Sequence, residues 1–182
     1  MNLRSAALVS ALLLPLAAHA QDGTITFSGR LVATTCVVTA QGNGGNSGTD
    51  TTVILPTVPD TALASAGTRT GLRIWYIQVG SAADPCLEPN IRAEFQNGGN
   101  VTPAGRLANT GGAGNVEIVV SNREPSSGNP DINLATNANS PLKQIDPVTG
   151  WARLSFGAEY YATGPATGGT VVTSVQYIMT YP

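Results

Sequence analysis

Few residues in this sequence could act as catalysts. The one histidine of the 182 residues is His19, and the pattern Gly-x-Ser-x-Gly, which surrounds the nucleophile of many hydrolases, does not occur. Two carboxylate pairs, Asp131 with Asp146 and Glu88 with Glu94, could converge in the fold and serve as general acid and base. The eleven acidic residues are scattered along the chain, however, and no nucleophile accompanies them. We therefore predict a protein that is not an enzyme.

Motifs for metals and cofactors are equally weak. Asp131-Ile132-Asn133 has a passing likeness to a calcium loop, but the glycine and the closing glutamate of such a loop are missing. Gly111-Gly112-Ala113-Gly114 lacks the spacing of a nucleotide-binding loop and indicates a turn. The aromatic residues fall in strand-like runs, where each could either pack in the core or stack on a sugar. They are Trp75, Tyr76, Trp151, Tyr160 and Tyr161. No cofactor is predicted.

The first twenty residues have the pattern of a secretory signal peptide. Arg4 precedes an apolar run from Ala6 to Ala17, and small residues follow at Ala18-His19-Ala20. The apolar run is shorter than the roughly 20 residues of a spanning helix, so a membrane anchor is the weaker interpretation. Cleavage after Ala20 removes the histidine and leaves 162 residues, which is enough for one domain. With the histidine removed, histidine-dependent triads and histidine-ligated zinc are excluded.

Charge and cysteine content suit an exported chain that does not bind nucleic acid. After loss of Arg4 the chain carries 8 basic and 11 acidic residues, so no basic face is available for nucleic acid or an anionic membrane. Cys36 and Cys86 have one pairing open to them in an oxidising compartment and do not form a CxxC motif. A structural disulfide of this loop length would stabilise the fold by about 4 kcal/mol in the chain-entropy model.

Segments rich in β-branched and aromatic residues recur between clusters of glycine, asparagine and proline. No window has helical periodicity, apart from one possible turn at Thr61–Ala66, so we predict an all-β sandwich. The predicted strands are Thr24–Phe27, Leu31–Val38, Thr51–Leu55, Gly71–Val79, Ile91–Phe95, Asn115–Ser121, Trp151–Ala162 and Thr170–Tyr181.

The two ends of the exported chain each contain a strand with a face to bury. Side chains alternate along a strand, so Gly23, Ile25, Phe27 and Gly29 share one face near the beginning. Near the end of the chain, one face of the last strand carries Val175, Tyr177, Met179 and Tyr181. The first of these strands precedes the core strands and has no evident place in its own domain. Its alternating pattern suits the addition of a strand to another sheet.

These features together resemble the major pilins of the chaperone-usher pathway, the type 1 fimbrial family. The matching elements are Gly-x-Ile-x-Phe-x-Gly at Gly23–Gly29, Cys36 seven residues later, a second cysteine, and a penultimate Tyr181. The runs Asn115-Val116-Glu117-Ile118 and Phe156-Gly157-Ala158-Glu159-Tyr160-Tyr161 match as well. The resemblance covers essentially the whole exported chain.

The resemblance implies an incomplete immunoglobulin-like β-sandwich, with six core strands and a seventh supplied in trans by donor-strand exchange. It divides the chain into a signal peptide (1–20), a donor-strand extension (21–29) and a pilin domain (30–182). It makes the first of the two faces, Gly23, Ile25, Phe27 and Gly29, the donor strand. It makes the second face, Val175, Tyr177, Met179 and Tyr181, the strand that borders the acceptor groove and binds the chaperone. It implies head-to-tail polymerisation with other copies, capture by a periplasmic chaperone, passage through an outer-membrane usher and an extracellular fimbrium supporting adhesion. A single-domain, carbohydrate-binding minor or tip adhesin is the alternative. Only Gln21 and Asp22 precede Gly23, so the donor arm is short.

Overall fold

The computed structural model of the chain describes residues 36–45 and 47–182, all of which belong to one compact unit that spans Thr34–Pro182. The expected signal peptide, the donor-strand extension and the predicted strand at Thr24–Phe27 lie outside the described residues, as does nearly all of the predicted strand at Leu31–Val38.

The described residues form two antiparallel sheets and one short 3₁₀ helix, at Asp60–Leu63. A six-stranded sheet has the order β2-β1-β3-β8-β6-β5, and a three-stranded sheet has the order β7-β4-β9. The strands are β1 (Val38–Gln41), β2 (Ser47–Gly48), β3 (Arg69–Val79), β4 (Asn90–Phe95), β5 (Leu107–Ala108), β6 (Val116–Asn122), β7 (Leu142–Gln144), β8 (Ala152–Ala162) and β9 (Tyr177–Thr180).

The strands β3 and β8 form the centre of the larger sheet. Each is eleven residues long, and they pair from Arg69–Tyr161 to Val79–Ala152. The ladder is interrupted by a bulge at Gly71, whose φ is 76°, a left-handed value that favours glycine. A Cβ atom at Gly71 would lie 2.7 Å from the ring of Tyr160, so both backbone and space require glycine here.

Three aromatic rings join the two sheets in the core. Trp75 of β3 stacks on Phe156 of β8, with ring centroids 4.7 Å apart. Phe95, which projects from β4 in the other sheet, meets Phe156 edge-on at 5.7 Å. All three rings are buried, so the two sheets pack face to face around an aromatic centre, as in a β-sandwich.

The predicted all-β sandwich is confirmed, and so are four of its strands. The segments Gly71–Val79, Ile91–Phe95, Asn115–Ser121 and Trp151–Ala162 correspond to β3, β4, β6 and β8. The possible helical turn at Thr61–Ala66 is the 3₁₀ helix at Asp60–Leu63.

Six strands of the described residues have four or more residues, in agreement with the six core strands expected: β1, β3, β4, β6, β8 and β9. The other three, β2, β5 and β7, are ladders of two or three residues. Two of the predicted segments differ from the expectation. The segment Thr51–Leu55 is not a ladder strand, and the last strand is confined to Tyr177–Thr180. In both segments a side-chain amide takes the place of a neighbouring strand: Asn43 bonds to the backbone of Ile54, and Asn109 bonds to the backbone of Val172.

The predicted disulfide between Cys36 and Cys86 is present, with the two Cα atoms 5.1 Å apart. It joins the beginning of the described chain to the loop before β4. Among the residues that the structure describes, no helix has the length and apolar character needed to cross a membrane.

Candidate functional site

The strand β9 forms an edge of the smaller sheet. Within residues 36–45 and 47–182 it pairs with β4 alone, with Met179 opposite Ala93. The backbone N–H of Gln96 donates to the carbonyl of Gln176 at 2.8 Å, so residue 176 and alternate residues after it direct their backbone groups toward β4. The N–H and C=O groups of Tyr177 and Met179 therefore point to the other, open edge.

The same alternation places apolar side chains beneath that open edge. The four residues expected on one face of the last strand are all partly buried and pack against the core: Val175, Tyr177, Met179 and Tyr181. Ile178, on the opposite face, is 49% exposed. Tyr177 and Met179 therefore direct their backbone groups to the open edge and pack their side chains against the core.

A second edge with the same properties lies in residues 51–55, before the 3₁₀ helix. Here the carbonyl of Thr52 accepts a hydrogen bond from the N–H of Gly44 at 3.0 Å. The N–H of Ile54 donates to the side-chain oxygen of Asn43 at 2.7 Å, and the side-chain NH₂ of Asn43 donates to the carbonyl of Ile54 at 3.0 Å. Val53 and Leu55 lie between and after these bonded residues, so their backbone groups point the other way. Their side chains pack against the core, whereas Ile54 is 55% exposed.

Tyrosine hydroxyls make hydrogen bonds on both sides of residues 51–55. The hydroxyl of Tyr177 in β9 donates to the carbonyl of Thr49 at 2.7 Å, and the hydroxyl of Tyr160 in β8 donates to the carbonyl of Pro56 at 3.2 Å. The Tyr177 bond therefore brings β9 within one side chain of the segment that leads into residues 51–55.

Burial governs the ionisation of these tyrosines. Burial raises the pKa of Tyr177 above its ordinary value, and the negative charge of Asp50 raises it further. Burial also raises the pKa of Tyr181. A hydrogen bond from the backbone N–H of Cys36 lowers this pKa in part, and the negative charge of Glu88 raises it. Burial raises the pKa of Tyr160 as well. All three hydroxyls remain protonated donors at neutral pH.

Most of the partly buried apolar residues come from the two chain segments that contain these edges. Eleven such residues pack against the main core cluster in the described part of the chain, and nine of them come from residues 36–55 or 171–181. Those nine are Cys36, Val38, Val53, Leu55, Val171, Val175, Tyr177, Met179 and Tyr181. We give the strip between β9 and residues 51–55 the name of the expected acceptor groove; its two sides carry Val53, Leu55, Val175, Tyr177, Met179 and Tyr181.

The remaining chemical candidates do not assemble into a site. Asp131 is paired with Arg69 at 2.7 Å, and Asp146 accepts backbone N–H bonds within its own turn, which lower its pKa. Glu94 accepts a bond of 3.4 Å from the hydroxyl of Thr180. No group of three or more potential ligands from histidine, cysteine, aspartate and glutamate occurs among residues 36–45 and 47–182.

The predicted aromatic candidates divide between core and surface. Trp75 belongs to the aromatic centre of the core, and Tyr160 packs against the core and donates its hydroxyl bond to Pro56. Tyr76 and Tyr161 face outward beneath the guanidinium groups of Arg153 and Arg106, at 4.4 and 4.1 Å from the ring centroids. Trp151 is 36% exposed at the beginning of β8.

Val53 and Leu55 were not among the predicted site residues. Thr51–Leu55 was predicted as a strand, but its apolar residues Val53, Ile54 and Leu55 are consecutive, so the run did not indicate which of them face inward. What the run could not indicate is that this segment would lie opposite β9, about 120 residues further along the chain.

Two characterised proteins are similar to this chain over nearly its whole length. The major fimbrial subunit SMF-1 of Stenotrophomonas maltophilia (strain K279a) is 36% identical over 174 residues, covering 92% of this chain and 96% of the relative. The F17 fimbrial protein of Escherichia coli is 35% identical over 170 residues, covering 89% and 88%. No family model matches the sequence.

Among solved structures, the P pilus rod subunit PapA has a similar fold. The match has a TM-score of 0.52 at 14% identity and covers 74% of this chain and 94% of PapA. At that identity the likeness bears on the fold alone.

Proposed function

The chain belongs to the family of fimbrial major subunits of the chaperone-usher pathway, and on that premise we propose that it builds a surface fimbria by donor-strand exchange. In this proposal, residues 21–29 of one copy occupy the acceptor groove of the next copy. The observation that carries it is the pair of backbone edges at β9 and at residues 51–55, which no described strand occupies and whose inward-facing side chains are only partly buried.

The donor face matches the groove in periodicity. Ile25 and Phe27 are two residues apart, as are the inward-facing residues Tyr177 and Met179 of β9. Burying each donor side chain contributes roughly 1.5 to 3 kcal/mol before any backbone pairing is counted. Gly23 and Gly29 at the two ends of the donor strand let the backbone lie close to the groove where it is shallow.

The open edges also account for the expected partners. An unpaired edge above exposed apolar side chains promotes aggregation, so the subunit needs a covering strand from the time it is exported. We propose that a periplasmic chaperone supplies that strand first, and that an outer-membrane usher then exchanges it for the arm of the neighbouring copy. The product is an extracellular fimbrium that supports adhesion.

Repetition of the contact gives a filament. The donor arm and the groove are different surfaces of the same chain, so each contact is heterologous, and such contacts form open assemblies unless the rotation closes a ring.

Phe27→Asp tests the donor assignment, with Ser28→Asp as the matched control on the opposite face of the strand. Tagged variants are expressed together with the wild-type subunit, and fibres are examined by gel ladder in mild denaturant and by immunogold microscopy. A carboxylate in an apolar groove is costly, so we expect Phe27→Asp subunits at one fibre end only. Ser28→Asp subunits should appear along the whole length. Incorporation of both variants along the length at the wild-type level would refute the proposal.

A further inference from the structure

The described part of the chain begins at one end of the sandwich. Cys36, the first described residue, is joined to Cys86 by the disulfide, and residues 81–88 pack against the turn 146–151. The N–H of Cys86 donates to the carbonyl of Gly150 at 2.7 Å, and a Cβ atom on Gly150 would lie only 2.3 Å from Pro85. We call residues 85–88 and 146–151, with Cys36, the disulfide end.

This end carries apolar side chains that the subunit leaves in solvent. Leu87 is 89% exposed and Val148 is 91% exposed, the two highest values among the large apolar residues described, and Trp151 is 36% exposed. None of them contributes to the core or to the acceptor groove. They lie on two loops that the Cys86–Gly150 bond joins, and exposed large apolar side chains on adjoining loops are typical of a contact site.

The backbone that carries these side chains is held in place. The carboxylate of Asp146 accepts from the N–H of Val148 at 2.8 Å and from the N–H of Thr149 at 3.3 Å. The N–H of Gly150 donates to the carbonyl of Asp146 at 2.8 Å, which closes the turn. Leu87 directly follows the disulfide-bonded Cys86. The backbone of both Leu87 and Val148 is therefore ordered, so that little conformational entropy is lost when another molecule contacts them.

The length of the segment between the donor strand and Cys36 indicates which molecule lies beside the disulfide end. From Gly29, at the end of the donor strand, to Cys36 there are seven residues, which span at most about 25 Å. A copy whose groove holds this arm is consequently tethered within about 25 Å of Cys36, beside the disulfide end.

From this tether and the exposed tips we infer that Leu87 and Val148 form a second contact with the copy that accepts the arm. The contact fixes the angle between consecutive subunits, and Trp151 lies at its border. The inference rests on the proposed donor-strand exchange and adds a surface outside the groove.

Site-specific cross-linking tests the contact in assembled fibres. A photoreactive benzoylphenylalanine replaces Leu87, Val148 or, as the control, Leu142, a half-exposed apolar residue on the edge strand β7. After illumination we expect boiling-resistant subunit dimers from positions 87 and 148, at about ten times the yield from position 142. Equal yields at the three positions, or adducts at 87 and 148 to other proteins without subunit dimers, would overturn the inference.

A second measurement uses the double variant Leu87→Asp with Val148→Asp. Both side chains are solvated in the subunit, so folding and the ladder in mild denaturant should be unchanged, while the persistence length of the fibres falls at least about twofold. An intact ladder with unchanged persistence length refutes the contact and leaves donor-strand exchange standing. Absence of a ladder in the wild-type protein would instead refute donor-strand exchange itself.

Discussion

Truncation of Met179 should weaken the hold of the acceptor groove on a donor strand, whereas truncation of its neighbour Ile178 should not. Met179 is partly buried beneath the open edge, and Ile178 faces solvent. Met→Ala costs about 2 to 5 kcal/mol at fully buried sites, so we expect about 2 kcal/mol at Met179 when a donor strand covers it. Side chains in contact across an interface show coupling energies of roughly 0.5 to 3 kcal/mol. We expect about 1 kcal/mol between Met179 and at least one of Ile25 and Phe27.

The assay is urea unfolding of a variant in which a second copy of residues 21–29 follows Pro182 through a flexible linker. Two double-mutant cycles combine Met179→Ala with Ile25→Ala or Phe27→Ala in the appended copy, and matched cycles use Ile178→Ala. The Ile178 cycles should be additive within about 0.3 kcal/mol. Coupling below that value in both Met179 cycles, or equal coupling for Ile178, would show that the donor strand does not lie on the inward face of β9.

Two further predictions concern the disulfide and the tyrosines. Cys36→Ser with Cys86→Ser opens a cross-link between residues 50 positions apart and should lower the free energy of unfolding by about 4 kcal/mol in the chain-entropy model; an unchanged urea midpoint would contradict this. Burial raises the pKa of Tyr177 above its ordinary 10.0, so above pH 10 the folded state binds more protons than the unfolded state and stability falls as pH rises. Tyr177→Phe should reduce that fall above pH 10, and an identical pH profile would contradict the assignment. At neutral pH the same substitution should lower the free energy of unfolding by about 1 kcal/mol through the bond lost to Thr49.

The long strands of the sandwich were predictable because their periodicity is strong. Residues 72–79 of β3 and residues 152–159 of β8 alternate between the two faces of one sheet, and tertiary contacts reinforce that local pattern. The need for glycine at the Gly71 bulge was not predictable, because the ring of Tyr160, which leaves no room for a Cβ atom there, lies on the neighbouring strand, 89 residues away. A glycine at the beginning of an apolar run carries no sign of such a contact.

The edges of the groove were harder to predict for a related reason. Asn43 substitutes its side-chain amide for a strand partner of Ile54, and the side chain of Asn109 does the same for Val172. These bonds hold both segments extended without a regular ladder, which is why the predicted strands at Thr51–Leu55 and from Thr170 are extended but mostly unpaired. In the last strand the alternation predicted the shared inward face of Val175, Tyr177, Met179 and Tyr181, since it depends on extended backbone rather than on the identity of the partner.

The position of the disulfide determines how a fibre of the proposed kind would transmit tension. A pull on the N-terminal arm enters the domain at Cys36 and passes directly through the sulfur bridge to Cys86, four residues before β4. From β4 the load would cross hydrogen bonds to β9, the edge proposed to hold the arm of the next subunit. The other edge of the groove, residues 51–55, would receive load along the backbone from Cys36 through β1 and β2. The bridge thereby adds a short route, of one covalent link and one strand pair, beside the longer route through the backbone.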